Sequence, residues 1–243
     1  MPEFAPRHAR RVRRVLDRAA LLVSPSGFLA QFFREWGGYE VEVIPNILAI
    51  GEYRFRRRIE AKPRLLWMRT FSDTYYPEMA VYVLEQVLRR YPEATLTMGG
   101  QQNKGVGSVM RVVAERGLED RVRFAGFMDM SAKQREFAGH DIFLNTNRVD
   151  NTPVSVIEAC AFGLPVVATR VGGIPYLLED GTTALLVGDE DVDAMAAAVC
   201  RLCEEPGLSD RLSMSGRHLA ESCAWNIVKS RWDAVFARVL ADG

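Results

Sequence analysis

The chain has 243 residues, 48% of them hydrophobic and 26% charged, and its 31 basic side chains balance 31 acidic ones. That composition is that of an ordinary globular protein: it excludes wholesale disorder, offers no apolar run near the roughly 18–20 residues of a bilayer span, and argues against a general nucleic-acid binder. The zero sum is a cancellation, because residues 1–69 carry net +7 and residues 70–243 net −7.

In chain order, the first 23 residues join a basic stretch to an apolar segment too short for a secretory signal. Residues 21–23 read as a strand, 27–36 as a helix and 41–44 as a strand ending at Pro45-Asn46. This βαβ material has no room for its own core, so residues 1–48 are expected to be the last unit and hinge of a preceding α/β domain. From Arg64 onward, strands at 65–68, 95–98, 122–125, 142–145, 166–169 and 184–187 alternate with helices at 77–90, 106–115, 131–138, 153–161, 174–178 and 191–204. In the first of these helices Ala80, Val83, Leu84, Val87 and Leu88 share one face. Alternation at this pitch predicts an α/β fold over residues 49–222, a doubly wound, Rossmann-like parallel sheet covered on both faces. Residues 223–243 complete the chain as an amphipathic helix returning toward the start.

Four cysteines, Cys160, Cys200, Cys203 and Cys223, form no disulfide framework, and the Cys200/Cys203 pair has no second ligand pair at zinc spacing. They read as small buried helix residues in a reducing compartment, so a cytoplasmic location is expected. His8, His140 and His218 are scattered, and His140 reads as packing. The segment around Gly99-Gly100 and Lys104-Gly105 is no P-loop, and no G-x-G-x-x-G follows the first strand of the sheet.

Ligands of such sheets bind beyond the carboxyl ends of the strands. After the strand at 142–145, Asn151 or Thr152 suits a helix N-cap and Pro153 the first helical position. The N–H groups of Val154 and Ser155 would then face the crevice, a site fit for a diphosphate. Asp150 precedes the cap and Glu158 follows one and a half turns in. Ionised carboxylates only accept hydrogen bonds, so vicinal sugar hydroxyls are natural partners. On spacing alone, the same pattern is equally a loop aspartate and a solvent-facing glutamate.

Residues 146–181 resemble the donor-binding signature of retaining glycosyltransferases of family four, which have the two-domain GT-B fold. Asn151-Thr152-Pro153-Val154-Ser155-Val156-Ile157-Glu158-Ala159 resembles the family's Gly-Phe-Pro-Leu-x-x-x-Glu-Ala, and Gly163-Leu164-Pro165 and Val171-Gly172-Gly173 follow at its spacing. Phe124-Ala125-Gly126-Phe127 is similar to its base-lining segment, and Ser24-Pro25-Ser26 and Ile44-Pro45-Asn46 to its hinge. The resemblance places Gly126, Phe127 and 151–155 on the donor, Glu158 on ribose hydroxyls, and Asp150, in place of a glutamate, on the transferred sugar. It places Arg69 on the leaving diphosphate, whereas the lysine that normally accompanies it is absent from 67–77. Lys104 is the substitute candidate, and Tyr75 offers only a neutral donor.

The resemblance thus implies transfer of a sugar, with retention, from a nucleotide-diphosphate sugar to an acceptor hydroxyl. No metal or cofactor is implied, since no D-x-D lies in the cleft. The acceptor site would lie in a first domain supplied by a separate chain or lost, and the acceptor itself is left open. The absent lysine and acceptor half equally suit a non-catalytic nucleotide-sugar-binding or interaction module. A nucleotide-sugar epimerase of the same fold is disfavoured by the signature. The arginines at 7–18 and the basic residues at 54–64 read as a solvated helix face and a charged linker, with peripheral contact to an anionic inner membrane face as the alternative.

Overall fold

The computed structural model describes residues 6–101 and 105–241. Six parallel strands form its main sheet: β3 (Arg64–Met68), β4 (Thr95–Gly99), β5 (Val122–Gly126), β6 (Ile142–Asn145), β7 (Val166–Thr169) and β8 (Leu185–Val187). Two shorter strands precede them, β1 (Val23–Ser24) and β2 (Glu42–Val43), paired in parallel as a separate small sheet. The main sheet runs β5-β4-β3-β6-β7-β8, so the chain winds outward from β3 to one edge and then from β6 to the other. This is the doubly wound order that the strand–helix alternation predicts.

The central strands are apolar on both faces because helices cover both. Leu65 and Trp67 point into one core with α3 (Pro77–Leu88), α4 (Val106–Glu115) and α8 (Val192–Glu204). Leu66 and Met68 point into the other, with α5 (Met130–Gly139), α6 (Val154–Phe162) and α9 (Leu208–Ser222). Leu65, Leu66 and Trp67 are therefore all essentially inaccessible, and period-2 alternation is invisible in the sequence of β3. The Trp67 indole, which cannot be left unpaired in a core, donates to Thr146 Oγ1 at 2.9 Å and ties β3 to the loop after β6.

α9 is an element not anticipated at 208–222. Its buried face joins Leu208 and Leu212 to Ser209, Ser213, Gly216 and Ala220, and these small residues let the helix approach α6 closely. A Cβ on Gly216 would stand 3.2 Å from Cys160 Sγ. The basic stretch at the start is a helix, α1 (Pro6–Leu16), in keeping with the reading of its arginines as a helix face. α7 (Ile174–Leu177) is a single turn.

Around β1 and β2, α2 (Gly27–Gly37) is capped by Ser26, whose Oγ accepts from the Leu29 N–H at 3.2 Å, and stops at Gly38 in the left-handed conformation. The last helix, α10 (Trp225–Ala241), lays Val228 and Val235 on Ile44. The Leu48 N–H donates to the Cys223 carbonyl at 2.8 Å beside this contact.

The second basic cluster is not a solvated linker. Arg58 is 1% exposed and donates to the carbonyls of Arg56, Phe137, Phe162 and His140, fastening the linker to the ends of α5 and α6. Arg56 and Arg64 converge at 2.7 Å on the buried Asp141 carboxylate, and Arg57 pairs with Asp210. These cations are consumed by the fold.

Candidate functional site

A cleft of about 340 Å³ opens at the carboxyl ends of the strands, where the winding reverses between β3 and β6. Two glycine contacts shape its walls. Gly100 lies at φ 152° with its Cα against the Arg69 carbonyl, and a Cβ there would overlap that oxygen, so the loops after β3 and β4 close only with glycine. Gly173 packs equally tightly on the Asn151 carbonyl, and its N–H donates to the Asp150 carbonyl at 2.8 Å. The Gly172-Gly173 pair therefore supports the 150–151 loop from behind.

α6 begins one residue later than its sequence suggests. Pro153, with φ −70° and ψ 106°, is itself the N-cap, because its carbonyl accepts the first helical bond from the Val156 N–H at 3.0 Å. Asn151 and Thr152 are displaced from the capping position and turn to the small N-terminal unit. The Asn151 amide oxygen accepts from Ser26 Oγ, and Thr152 Oγ1 lies 3.4 Å from the Pro25 carbonyl. Val154 and Ser155 remain at the helix start on the cleft wall, ahead of the first intrahelical bond. The Ser155 hydroxyl is buried there with no partner among the described residues.

Arg69 leaves the end of β3 into the cleft. Its Nη2 donates to the Asp150 carboxylate, which also accepts from Asn147 Nδ2 at 2.8 Å. The guanidinium carbon lies 4.4 Å from the Tyr75 ring centroid, so Tyr75 supports Arg69 by its face rather than donating from its hydroxyl. Arg69 Nε is buried and unpartnered among the described residues. Arg69, Ser155 and a helix N-terminus thus line one cleft, with a guanidinium N–H and a serine hydroxyl unpaired in its wall, a donor set for an anion.

Glu158 is 6% exposed and also lines the cleft. Its Oε1 accepts from the Tyr53 hydroxyl at 3.0 Å and from Lys133 Nζ at 2.6 Å. Burial, reinforced by the Glu158 charge, pushes the Tyr53 phenol well above its ordinary pKa, so it stays a donor. At the rim, the positive φ of Gly126 ends β5 and presents Phe127, 76% exposed.

The structure therefore brings Arg69, Phe127, Val154, Ser155 and Glu158 to one cleft, with Asp150 behind Arg69 and Gly126 shaping the rim. It turns Asn151 and Thr152 away toward the small unit. Lys104 lies outside the described residues. Sequence reasoning missed Lys133 and Tyr53, which carry no motif: one is a lysine in the first turn of α5, the other a tyrosine in a charged linker. The Cys200/Cys203 pair sits half-buried on α8, and among the described residues no group of three metal-ligating side chains assembles. Burial raises the thiol of Cys160 to about 12, which leaves it inert.

A family model described as glycosyl transferases group 1 matches residues 62–205. D-inositol 3-phosphate glycosyltransferase of Streptomyces griseus is 28% identical over 238 residues, covering 93% of this chain and 50% of that protein. The GDP-mannose-dependent alpha-(1-6)-phosphatidylinositol monomannoside mannosyltransferase of Mycolicibacterium smegmatis is 29% identical over 183 residues, 72% of this chain and 48% of that one. Among solved structures, HepE of Anabaena in complex with UDP superposes with a TM-score of 0.85 at 19% identity, covering 98% of this chain and 70% of its own. Sucrose-phosphate synthase of Thermosynechococcus elongatus gives 0.86 at 19% identity, covering 99% and 63%. The chain spans about half the length of the curated relatives it matches.

Proposed function

Because the chain belongs to the glycosyl transferases group 1, we propose that its cleft binds a nucleoside-diphosphate sugar and that it takes part in retaining transfer of the sugar to an acceptor hydroxyl. Its sheet is the Rossmann-like half of the GT-B fold. The observation that carries the reading is the placement of an anion-ready helix start beside Arg69 and Glu158 in one cleft at the winding reversal, with Asp150 held behind Arg69.

A donor sugar nucleotide presents a diphosphate flanked by two polyols and ending in a flat base. The diphosphate suits the Arg69 guanidinium, the Ser155 hydroxyl and the Val154 and Ser155 N–H groups. Glu158 then accepts from ribose hydroxyls, Asp150 from the sugar, and Phe127 offers its exposed ring to the base. In the transfer, the anomeric carbon–phosphate oxygen bond breaks and its electron pair passes to the diphosphate. The acceptor oxygen forms the new bond to the anomeric carbon, and its proton passes to the departing phosphate oxygen. Arg69 and the helix start stabilise the charge that grows on the leaving oxygen, the largest single contribution of such a site. The acceptor surface is assigned to protein outside these residues. HepE was solved with UDP and glucose, and the mannosyltransferase of Mycolicibacterium smegmatis is GDP-mannose-dependent, so both bases are tested.

Calorimetry with UDP-glucose and GDP-mannose should show binding of one of them, reduced at least about tenfold in Glu158→Ala. No binding by the wild-type chain, or undiminished binding in that variant, overturns the assignment. Binding without release of the nucleoside diphosphate, even with acceptors added, marks a donor-binding module instead.

A further inference from the structure

We infer that Tyr53 and Lys133 form a two-point clamp on one oxygen of Glu158, reserving the other oxygen for a vicinal diol and making these two side chains positioning residues for ribose recognition. This rests on the donor reading above. Glu158 Oε1 takes the Tyr53 hydroxyl at 3.0 Å and the Lys133 ammonium at 2.6 Å. A carboxylate oxygen accepts about two hydrogen bonds, so Oε1 is filled. Glu158 lines the cleft, and its Oε2 takes no donor from the described residues. Its two lone pairs are the acceptors left for a ligand, and two adjacent hydroxyls match them.

The clamp comes from three separate elements, which is what makes it rigid. Tyr53 leaves the linker after residue 52, is buried, and packs edge-on against Phe162 of α6 with ring centroids 5.0 Å apart. Lys133 stands in the first turn of α5, whose start is fixed by Asp129 accepting from the Ala132 N–H at 2.7 Å. Glu158 is in the middle of α6. An unclamped glutamate would have to order its own rotatable bonds when a ligand arrives; here that ordering is completed beforehand. Lys133 also balances the Glu158 charge, as Arg69 balances Asp150 behind it, so both carboxylates at the unliganded site are paired. The arriving diphosphate then meets no excess negative field from the groups that grip its sugars.

Whole-chain protein is titrated by calorimetry with UDP and GDP and with their 2′-deoxy counterparts, alongside Tm. The wild type should prefer the ribonucleotide by about tenfold, the worth of one charge-assisted hydrogen bond. Tyr53→Phe, which keeps the ring on Phe162, and Lys133→Met should each shrink that ratio to about two- to threefold while affinity for the deoxynucleotide holds. Lys133→Arg should restore most of the preference. A ratio unchanged in the correctly folded Tyr53→Phe and Lys133→Met variants overturns the clamp. So does a loss in Lys133→Met that is equal for UDP and 2′-deoxy-UDP and absent for uridine, which makes Lys133 a phosphate ligand. If the wild type binds neither nucleotide, the donor reading itself fails and the clamp with it. A clamp failure beside intact, Glu158-dependent binding leaves that reading standing.

Discussion

Arg69 illustrates how one side chain is made ready before any ligand arrives. The Asp150 carboxylate holds one end of its guanidinium, the Tyr75 ring supports its plane, and Nε is left buried without an acceptor. A lysine could keep the charge but neither stack on Tyr75 nor reach two acceptors at once. Arg69→Lys is therefore expected to weaken UDP or GDP binding by about tenfold or more while uridine or guanosine binding stays unchanged. An equal loss for nucleoside and nucleotide would show that Arg69 serves the loop rather than the phosphates. Arg69 and Glu158 were legible through the resemblance, whose motifs lie next to a strand end and a helix start, and both line the cleft. Tyr53 was not, since it meets Glu158 across 105 residues, and no local pattern encodes that meeting. Asn151 and Thr152 misled for the opposite reason. Their residue types suit a cap, but Pro153 takes that place and frees both side chains for the neighbouring unit.

Among elements, the strands and the helices with a polar face were legible, because burial on one or both sides leaves a period or an apolar run. α6 has almost no polar face, every residue from Ser155 to Phe162 being buried, so its motif rather than its periodicity revealed it. α9 escaped because only Leu208 and Leu212 mark its buried face as apolar, the rest of which is Ser209, Ser213, Gly216 and Ala220. The linker between the two sheets looked like a run of surface charge, yet it is held by a buried carboxylate. Burial alone would raise the Asp141 pKa, but hydrogen bonds and charge from Arg64 and Arg56 outweigh it and hold the carboxyl below its usual range. A depressed carboxyl contributes stability that is fully present above its unfolded pKa of about 3.9 and is lost as pH falls through the folded value. Asp141→Asn should cost about 2 kcal/mol at pH 7, less than the roughly 3–5 kcal/mol of a fully buried pair because the guanidinium groups are half-exposed. The cost should shrink progressively below pH 4, where the unfolded wild-type carboxyl begins to protonate while the folded one stays ionised. Urea titrations at pH 7 and pH 3.5 check this, and an equal cost at both would mean that packing, not charge, holds the linker.

At the scale of the molecule, the apolar residues are divided very unequally. Both faces of the six-stranded sheet carry extensive cores, whereas the small sheet rests on Ile44, Val228 and Val235, with Leu21, Val23 and Trp232 half-buried around them. Three fully buried side chains cannot offset the ordering entropy of β1, α2 and β2, so that unit depends on α10 and on its contacts with the donor side. Those contacts are polar or aromatic and few: Ser26 with Asn151, Phe28 and Gln31 with Tyr176. Two cooperative units of different stability are therefore expected within one chain. Val228→Asp places an unpaired charge at the centre of the small core, and should lower the local opening free energy there by about 3 kcal/mol. In hydrogen exchange, protection of the Glu42 and Ile44 amides, which bond to the Leu22 and Ser24 carbonyls, should collapse in this variant. Amides of β3 and β6 should keep theirs, because their cores do not include Val228. UDP or GDP affinity should change by less than about threefold, since no residue of the cleft belongs to the small core. Equal loss of protection in both sheets would show instead that the hinge contacts join them into a single folding unit, and that donor affinity is tied to the packing of α10.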